Sequence, residues 1–225
     1  MKNKTPEKIQ ELFNHIAPHY DQNNDIISLF LHRWIKRSVI WELPELPNAP
    51  KILDLCTGTG DIAKLLHKRY PNAQITGIDF SEEMLKIARE KHKNIKNIKF
   101  IEGDCLNLPL GNETFDLVTI SFGLRNTTDY AKVVSEIRRV LKLGGKFVHI
   151  DFGQGTEFSN KVFIEIVKFI AQIQEDESYV YLLDSKNTFP SPEELIELFE
   201  VYKLKTELRK DYLLGIISAQ FCMKS

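Results

Sequence analysis

The sequence predicts an α/β protein. Seven strands form a mostly parallel sheet, with a helical segment ahead of it and an antiparallel hairpin at its end. Three observations predict this. Between residues 51 and 152, five short apolar strands alternate with helical stretches, the order that right-handed crossovers lay down as a parallel sheet. A glycine turn closes the first of those strands and opens a helix. Two strand-like runs near the end lie too close in sequence for a crossover, so they pair antiparallel.

The helical start is residues 6–17, where Thr5 is an N-cap and Pro6 a first-turn proline. Ile9, Leu12, Phe13 and Ile16 recur at helical spacing, and Pro18 ends the run. Residues 19–25 are polar and Asn-rich, which predicts a loop, and 27–42 a second helix. The run LPELPNAP, 43–50, holds three prolines and marks a joint. Strands follow at 51–56, 74–79, 98–103, 115–121 and 145–152, with helices at 61–69, 81–92 and 129–141. Residues 157–174 are an unusually apolar helix, read as a flap over the site. A helix at 191–200 precedes the hairpin strands 203–210 and 215–224. The chain reads as one domain, 1–225, with a helical cap and substrate side (1–45), a cofactor-binding core (50–152) and a lid helix with the hairpin (153–225).

Composition excludes several classes. The 225 residues are 43% hydrophobic and 27% charged, with a net charge of -1. Such a balance argues against a nucleic-acid partner, which calls for a basic surplus. No run approaches the roughly 18 apolar residues of a membrane span. Cys56, Cys105 and Cys222 make no CxxC pair and no histidine cluster accompanies them, so neither a disulfide framework nor a metal is expected. The opening MKNKTPEKIQELFNHIA has no apolar core and carries Glu7 and Glu11 without Arg, so a cytoplasmic location is expected.

The chemistry centres on Asp54-Leu55-Cys56-Thr57-Gly58-Thr59-Gly60-Asp61. Ligands of open parallel sheets bind beyond the carboxyl ends of the strands. Gly58 to Ala63 also meets the GxGxxA pattern, which keeps a nicotinamide oxidoreductase open as an alternative. Asp79 ends the second strand, 19 residues after Gly60, where a carboxylate accepts from both hydroxyls of a ribose. Ser81 already supplies the N-cap there. Asp54 would repel a pyrophosphate but suits an ammonium and a sulfonium. Gly103-Asp104-Cys105 sets a carboxylate and an amide where an adenine edge can be read. S-adenosylmethionine has those groups and no phosphate, and the acids at 54, 79 and 104 match them.

DLCTGTGD, GDCLNLPL, FDLVTISFGLRN and RRVLKLGG in this order resemble the motifs of class I S-adenosylmethionine methyltransferases. The TISFGLRN run resembles the ubiquinone/menaquinone biosynthesis C-methyltransferase family. Ala17-Pro18-His19-Tyr20-Asp21, Asn24-Asp25, Leu31-His32-Arg33, Tyr179 to Leu182, Ser185 and Phe189-Pro190 extend that resemblance over nearly the whole chain. The chain departs from the family pattern at Ile150-Asp151-Phe152-Gly153 and at Phe30, where glycine is common, both on the substrate side. The resemblance implies a Rossmann-like seven-stranded class I methyltransferase sheet with an antiparallel C-terminal hairpin and an N-terminal helical cap. It implies cofactor contacts at Thr59, Asp79, Asp104, Cys105 and Ser121, with Cys105 acting through its amide; Asp54, Gly58, Gly60 and Phe80 complete the expected cofactor site. The implied reaction methylates a ring carbon of a polyprenylated hydroquinone such as demethylmenaquinol, with the ubiquinone precursor as a second candidate and another small aromatic acceptor as the alternative.

Arg125 is the leading active-site residue, a cation able to stabilise a phenolate, unless it pairs with an acid. Asn126 would orient the same hydroxyl and Tyr20 would close over the acceptor. His19, His32 and His149 are candidate bases. The first two helices and residues 162–173 would form a groove for the prenyl tail, the last run being otherwise core. Arg33, Lys36 and Arg37 form a small basic face for peripheral contact with a membrane, and a homodimer is also admitted.

Overall fold

The computed structural model describes residues 5–174 and 178–225. Its sheet has the order β3-β2-β1-β4-β5-β7-β6. The strands are β1 (Lys51–Leu55), β2 (Gln74–Asp79), β3 (Ile98–Glu102), β4 (Phe115–Ser121), β5 (Leu141–Phe152), β6 (Leu204–Tyr212) and β7 (Ile217–Lys224). The first five run parallel, and β7 lies antiparallel between β5 and β6. Strand order reverses between β1 and β4, so a crevice opens above their carboxyl ends.

Alternation along the strands makes two core layers. Ile52, Ile75, Leu117 and Val148 face one side of the sheet and pack on α3 (Leu31–Trp41) and α4 (Asp61–Arg69). Leu53, Val118, Ile120 and Phe147 face the other side and meet α6 (Tyr130–Val140) and α9 (Pro192–Val201). α5 (Glu82–Lys91) starts at the Ser81 N-cap, whose hydroxyl accepts from the Met84 amide.

The cap departs from expectation in two places. α1 (Pro6–Ile16) ends at a 3-10 turn, Ala17–His19, and a helix α2 follows directly over Tyr20–Ser28, where a loop was expected. Tertiary bonds outweigh the weak helix propensity of its asparagines: Asp21 accepts from the Thr59 hydroxyl at 2.6 Å and from Lys91 at 2.6 Å. The single helix expected over 27–42 is broken at Leu29 (φ 49°) and Phe30 (φ 63°), both left-handed. The Leu29 amide bonds back to Asp25 and Ile26 and ends α2. β5 begins four residues earlier than expected, its Leu141 already paired with Phe115. α7 (Glu157–Gln174) is the expected apolar helix, and α8 (Ser178–Asn187) was not foreseen. Val167 and Ile170 of α7 pack on Ile26 and Ile27 of α2 and on Leu182 and Leu183 of α8, joining α2 to the two later helices.

Candidate active site

A cavity of about 320 Å³ lies over the carboxyl ends of β1, β2, β3 and β4. Gly58, Asp79, Phe80, Asp104, Cys105 and Ser121 line it, and Ile9, Gln10 and Phe13 of α1 roof it. Two hydrogen bonds pin α1 there: Gln10 Nε2 donates to the Phe80 carbonyl at 2.6 Å, and Ser81 donates to Asn14 Oδ1 at 2.6 Å. Asp79 is 7% exposed and accepts from the Gly58 amide at 2.8 Å and the Ser81 amide at 3.0 Å. Burial raises its pKa. Asp104 is exposed and accepts from the Leu106 amide at 2.9 Å, turning the chain so that Asp104 and Cys105 face the cavity. Ser121 Oγ is buried and makes no hydrogen bond among the described residues. The Cys105 thiol, followed by burial, pushes the neighbouring Cys56 thiol well up.

Three of the expected cofactor residues do not line this cavity. Asp54 lies beneath it, 1% exposed, with its oxygens accepting from the hydroxyls of Thr57 at 2.6 Å and Thr119 at 2.7 Å. The register sets Asp54 beside Thr119, which explains the second bond. Burial raises its pKa to about 6. The Thr59 hydroxyl is turned to Asp21. Gly60 is the N-cap of α4 at φ 83°, and a Cβ there would stand 2.8 Å from His92 and Phe100, so no side chain fits at this turn.

A second cavity, of about 370 Å³, lies between α2, α3, α7 and the β6–β7 turn. Its walls are mainly apolar, including Ile27, Leu29, Val162, Phe163, Ile166 and Leu214, with Tyr20, Asn24, His32, Lys36 and Arg125 among the polar residues that line it. Tyr20 and Phe122 line both cavities and so form the partition between them. Tyr20 packs edge-on against Phe13, and burial raises its hydroxyl pKa.

Arg125 is 7% exposed on the wall of the second cavity. Its Nη1 donates to Asp151 Oδ1 at 2.8 Å and to the Phe122 carbonyl at 2.7 Å. The rings of Phe122 and Phe152 lie 5.6 and 5.0 Å from the guanidinium carbon. The acid expected as the alternative partner of Arg125 is therefore Asp151, within the Ile150–Gly153 run that departs from the family pattern. Asn126 lines the first cavity, donating to the Phe122 carbonyl at 3.2 Å and accepting from the Tyr181 hydroxyl at 2.9 Å.

Of the candidate bases, His32 lines the second cavity and the other two line neither. His149 is 1% exposed and packs among Phe189 and Phe199, its Nδ1 bonded to Gln220. His19 is exposed and lines neither cavity. The basic face expected on the second helix is also altered. Arg33 is bound by Asp25 at 2.5 Å, and Lys36, with its side chain only 12% exposed, turns inward to Asp61 at 3.7 Å. Phe122 as a shared wall and Asp151 as the partner of Arg125 were missed in the sequence. A spacing of 26 residues carries no signal for the latter.

This sheet order, with a roofed cavity at the tips of its parallel strands, defines a class I S-adenosylmethionine-dependent methyltransferase. Solved structures share the fold. A SAM-dependent methyltransferase from Aquifex aeolicus superposes with a TM-score of 0.64 at 20% identity, over 99% of this chain and 100% of that one. One from Thermotoga maritima gives 0.70 at 19% identity, over 96% and 100%. The model of the ubiE/COQ5 methyltransferase family matches residues 1–224, and the chain belongs to that family. A demethylmenaquinone methyltransferase of Staphylococcus carnosus is 37% identical over 96% of this chain and 92% of its own length. One of Staphylococcus aureus strain JH9 is 37% identical over 86% and 83%. Among the described residues no helix is long and apolar enough to cross a membrane, and no group of three or more His, Cys, Asp or Glu is placed to hold a metal.

Proposed function

We propose that the protein methylates a ring carbon of a polyprenylated hydroquinone, demethylmenaquinol in the first place, and that it works as one domain. One observation carries this: an apolar cavity abuts the cofactor cavity across the Tyr20–Phe122 partition, with Arg125 on its wall. The Staphylococcus relatives support the choice of acceptor.

The residues of the first cavity fit the cofactor. Asp79 keeps lone pairs for two ribose hydroxyls beyond its two amide bonds. Asp104 and the Cys105 amide suit an adenine edge, and the orphaned Ser121 hydroxyl gains a partner. Bound there, S-adenosylmethionine supplies an electrophilic methyl on a sulfonium. Ring carbon is a poor nucleophile until its hydroxyl gives up proton density, and phenols titrate near pH 10. Arg125 stabilises the charge developing on that oxygen, with Asp151 fixing the guanidinium plane. Asn126, anchored by Phe122 and Tyr181, orients groups on the cofactor side. The partition residues Tyr20 and Phe122 align the two reactants and exclude water.

The mouth of the acceptor cavity suits a substrate with a long tail. Leu29, Phe158 and Leu214 line it and remain 65%, 70% and 66% exposed, an apolar rim fit for the surface of a bilayer. The test is turnover of labelled S-adenosylmethionine with a panel of demethylated naphthohydroquinols and benzohydroquinols. Methyl incorporation on a ring carbon is expected; an enzyme inert on every quinol rejects the reading.

A further inference from the structure

One of the three candidate bases, His32, lines the acceptor cavity and has no role in the reaction as described above. His32 is 8% exposed at the start of α3 and lines the same cavity as Arg125. Its Nδ1 lies 2.6 Å from Ser28 Oγ, and that oxygen lies 2.7 Å from the Asn24 carbonyl. Ser28 has one proton and the carbonyl can only accept. Both contacts are hydrogen bonds in one arrangement alone: Ser28 donates to Asn24, and His32 Nδ1–H donates to Ser28. The tautomer is therefore set, and the lone pair of the imidazole sits on Nε2.

Nε2 is 3.7 Å from Asp25 Oδ1, and Asp25 is gripped by Arg33 through Nε at 2.5 Å and Nη2 at 2.6 Å. A proton arriving on Nε2 would thus face a carboxylate held in place. The charged groups acting on the ring are Asp25 of α2, Arg33 and Lys36 of α3 and Asp61 of α4. Burial first, then Lys36, lowers the pKa of the imidazole to about 4, so the free base is the form present at neutral pH.

We propose, resting on the quinol reading above, that His32 Nε2 receives the ring-hydroxyl proton during methyl transfer. The carbon–methyl bond forms as the sulfur–methyl bond breaks, and the sulfonium becomes a neutral thioether. The O–H electron pair moves toward the ring, and the proton passes to Nε2. The methylated carbon then loses its hydrogen as a proton, the oxygen takes one back from Nε2, and the ring is aromatic again. One proton is released overall. As methyl adds, the hydroxyl becomes that of a protonated ketone, far more acidic than a phenol, so a weakly basic imidazole suffices.

The test is His32→Asn, which keeps an N–H near Nδ1 for Ser28 and removes Nε2. Its kcat on a short-tailed demethylmenaquinol, kept reduced, is expected to fall about 10²- to 10⁴-fold at pH 7, the usual contribution of a general base. Affinity for S-adenosylhomocysteine should stay within about threefold of the parent, since His32 does not line the cofactor cavity. The deficit should shrink on an acceptor with a more acidic hydroxyl, such as a halogenated naphthohydroquinol, and as pH rises toward ionisation of the acceptor. His32→Gln should show the same dependence and serves if the first variant folds poorly. A kcat within about threefold of the parent, or an equal loss on every acceptor at every pH, overturns the proposal. A parent enzyme inert on all quinols overturns the proposed function and this proposal together; an active parent with insensitive variants overturns this one alone.

Discussion

Asp54→Asn is expected to stabilise the protein, and by an amount that depends on pH. Asp54 is 1% exposed, and burial raises its pKa from 3.8 to about 6 even though Thr57 and Thr119 donate to its oxygens. The folded state therefore holds a proton that the unfolded chain has released between those two values. Stability falls as pH rises through that window, and above about pH 6 the full penalty is in place. A shift of about two pH units at 1.36 kcal/mol each is a penalty of about 3 kcal/mol. Asparagine carries no charge and keeps one acceptor. Its amide hydrogens need a hydroxyl that can turn, and Thr119 has one, because its Oγ1 is also 3.5 Å from the Leu53 carbonyl. Urea and thermal unfolding of both proteins should be followed at pH 4, 5, 6 and 7.5. The variant should gain about 3 kcal/mol at pH 7.5, about 6–12 °C in Tm for a chain of this size, and the gain should vanish near pH 4. A parent protein equal to or more stable than the variant at pH 7.5 would refute the reasoning.

Asp79→Asn should weaken S-adenosylhomocysteine binding in calorimetry by about 3 kcal/mol or more, from two ribose bonds to a charged acceptor at about 1.5–3 kcal/mol each; near-parent affinity would remove Asp79 from the cofactor site. Arg125→Ala leaves Asp151 buried without its cation and should lower stability by about 3–5 kcal/mol in urea unfolding, with turnover lost. Arg125→Lys should lose kcat while cofactor affinity stays near the parent, because Asp151 and the Phe122 carbonyl would both hold the ammonium at the place of Nη1, and a point charge there does not replace the planar guanidinium on the cavity wall. Phe30→Gly relieves a left-handed residue that is 63% exposed and should raise stability by about 1 kcal/mol, read as a higher Tm.

The sheet was legible because its signals are local. Each of β1 to β4 is a short apolar run bounded by turn residues, and the crossover rule then orders them. Asp79 and Ser121 were legible for the same reason, since a position at a strand tip follows from the strand. Asp54 shows the limit. It also stands at a strand tip, but which way its carboxylate faces depends on Thr119, 65 residues later in the chain and one strand away. The cap is less legible because α2 is held by long-range bonds of Asp21 to Thr59 and Lys91, which no helical periodicity reports. Leu29 gave no warning of a helix break, and at Phe30 the warning lay only in the family pattern, where glycine, the residue that usually marks a left-handed turn, is common.

Phe122 ties these parts into one device. It sits at φ 56° just beyond β4, a conformation that costs about 1–2 kcal/mol for a residue with a side chain. Its amide donates to the Ile150 carbonyl at 2.7 Å, which locks the turn to β5. Gly123 must follow, because a Cβ there would stand 2.4 Å from Cys56 Cβ. From this fixed turn the ring forms part of the wall between the two cavities, and the carbonyl accepts from both Arg125 and Asn126. The group proposed to stabilise the acceptor oxygen and the group facing the cofactor thus hang from one carbonyl oxygen. A change of backbone at Phe122 would displace both at once and open the partition. The strain is consistent with a turn retained for alignment of two reactants rather than for stability.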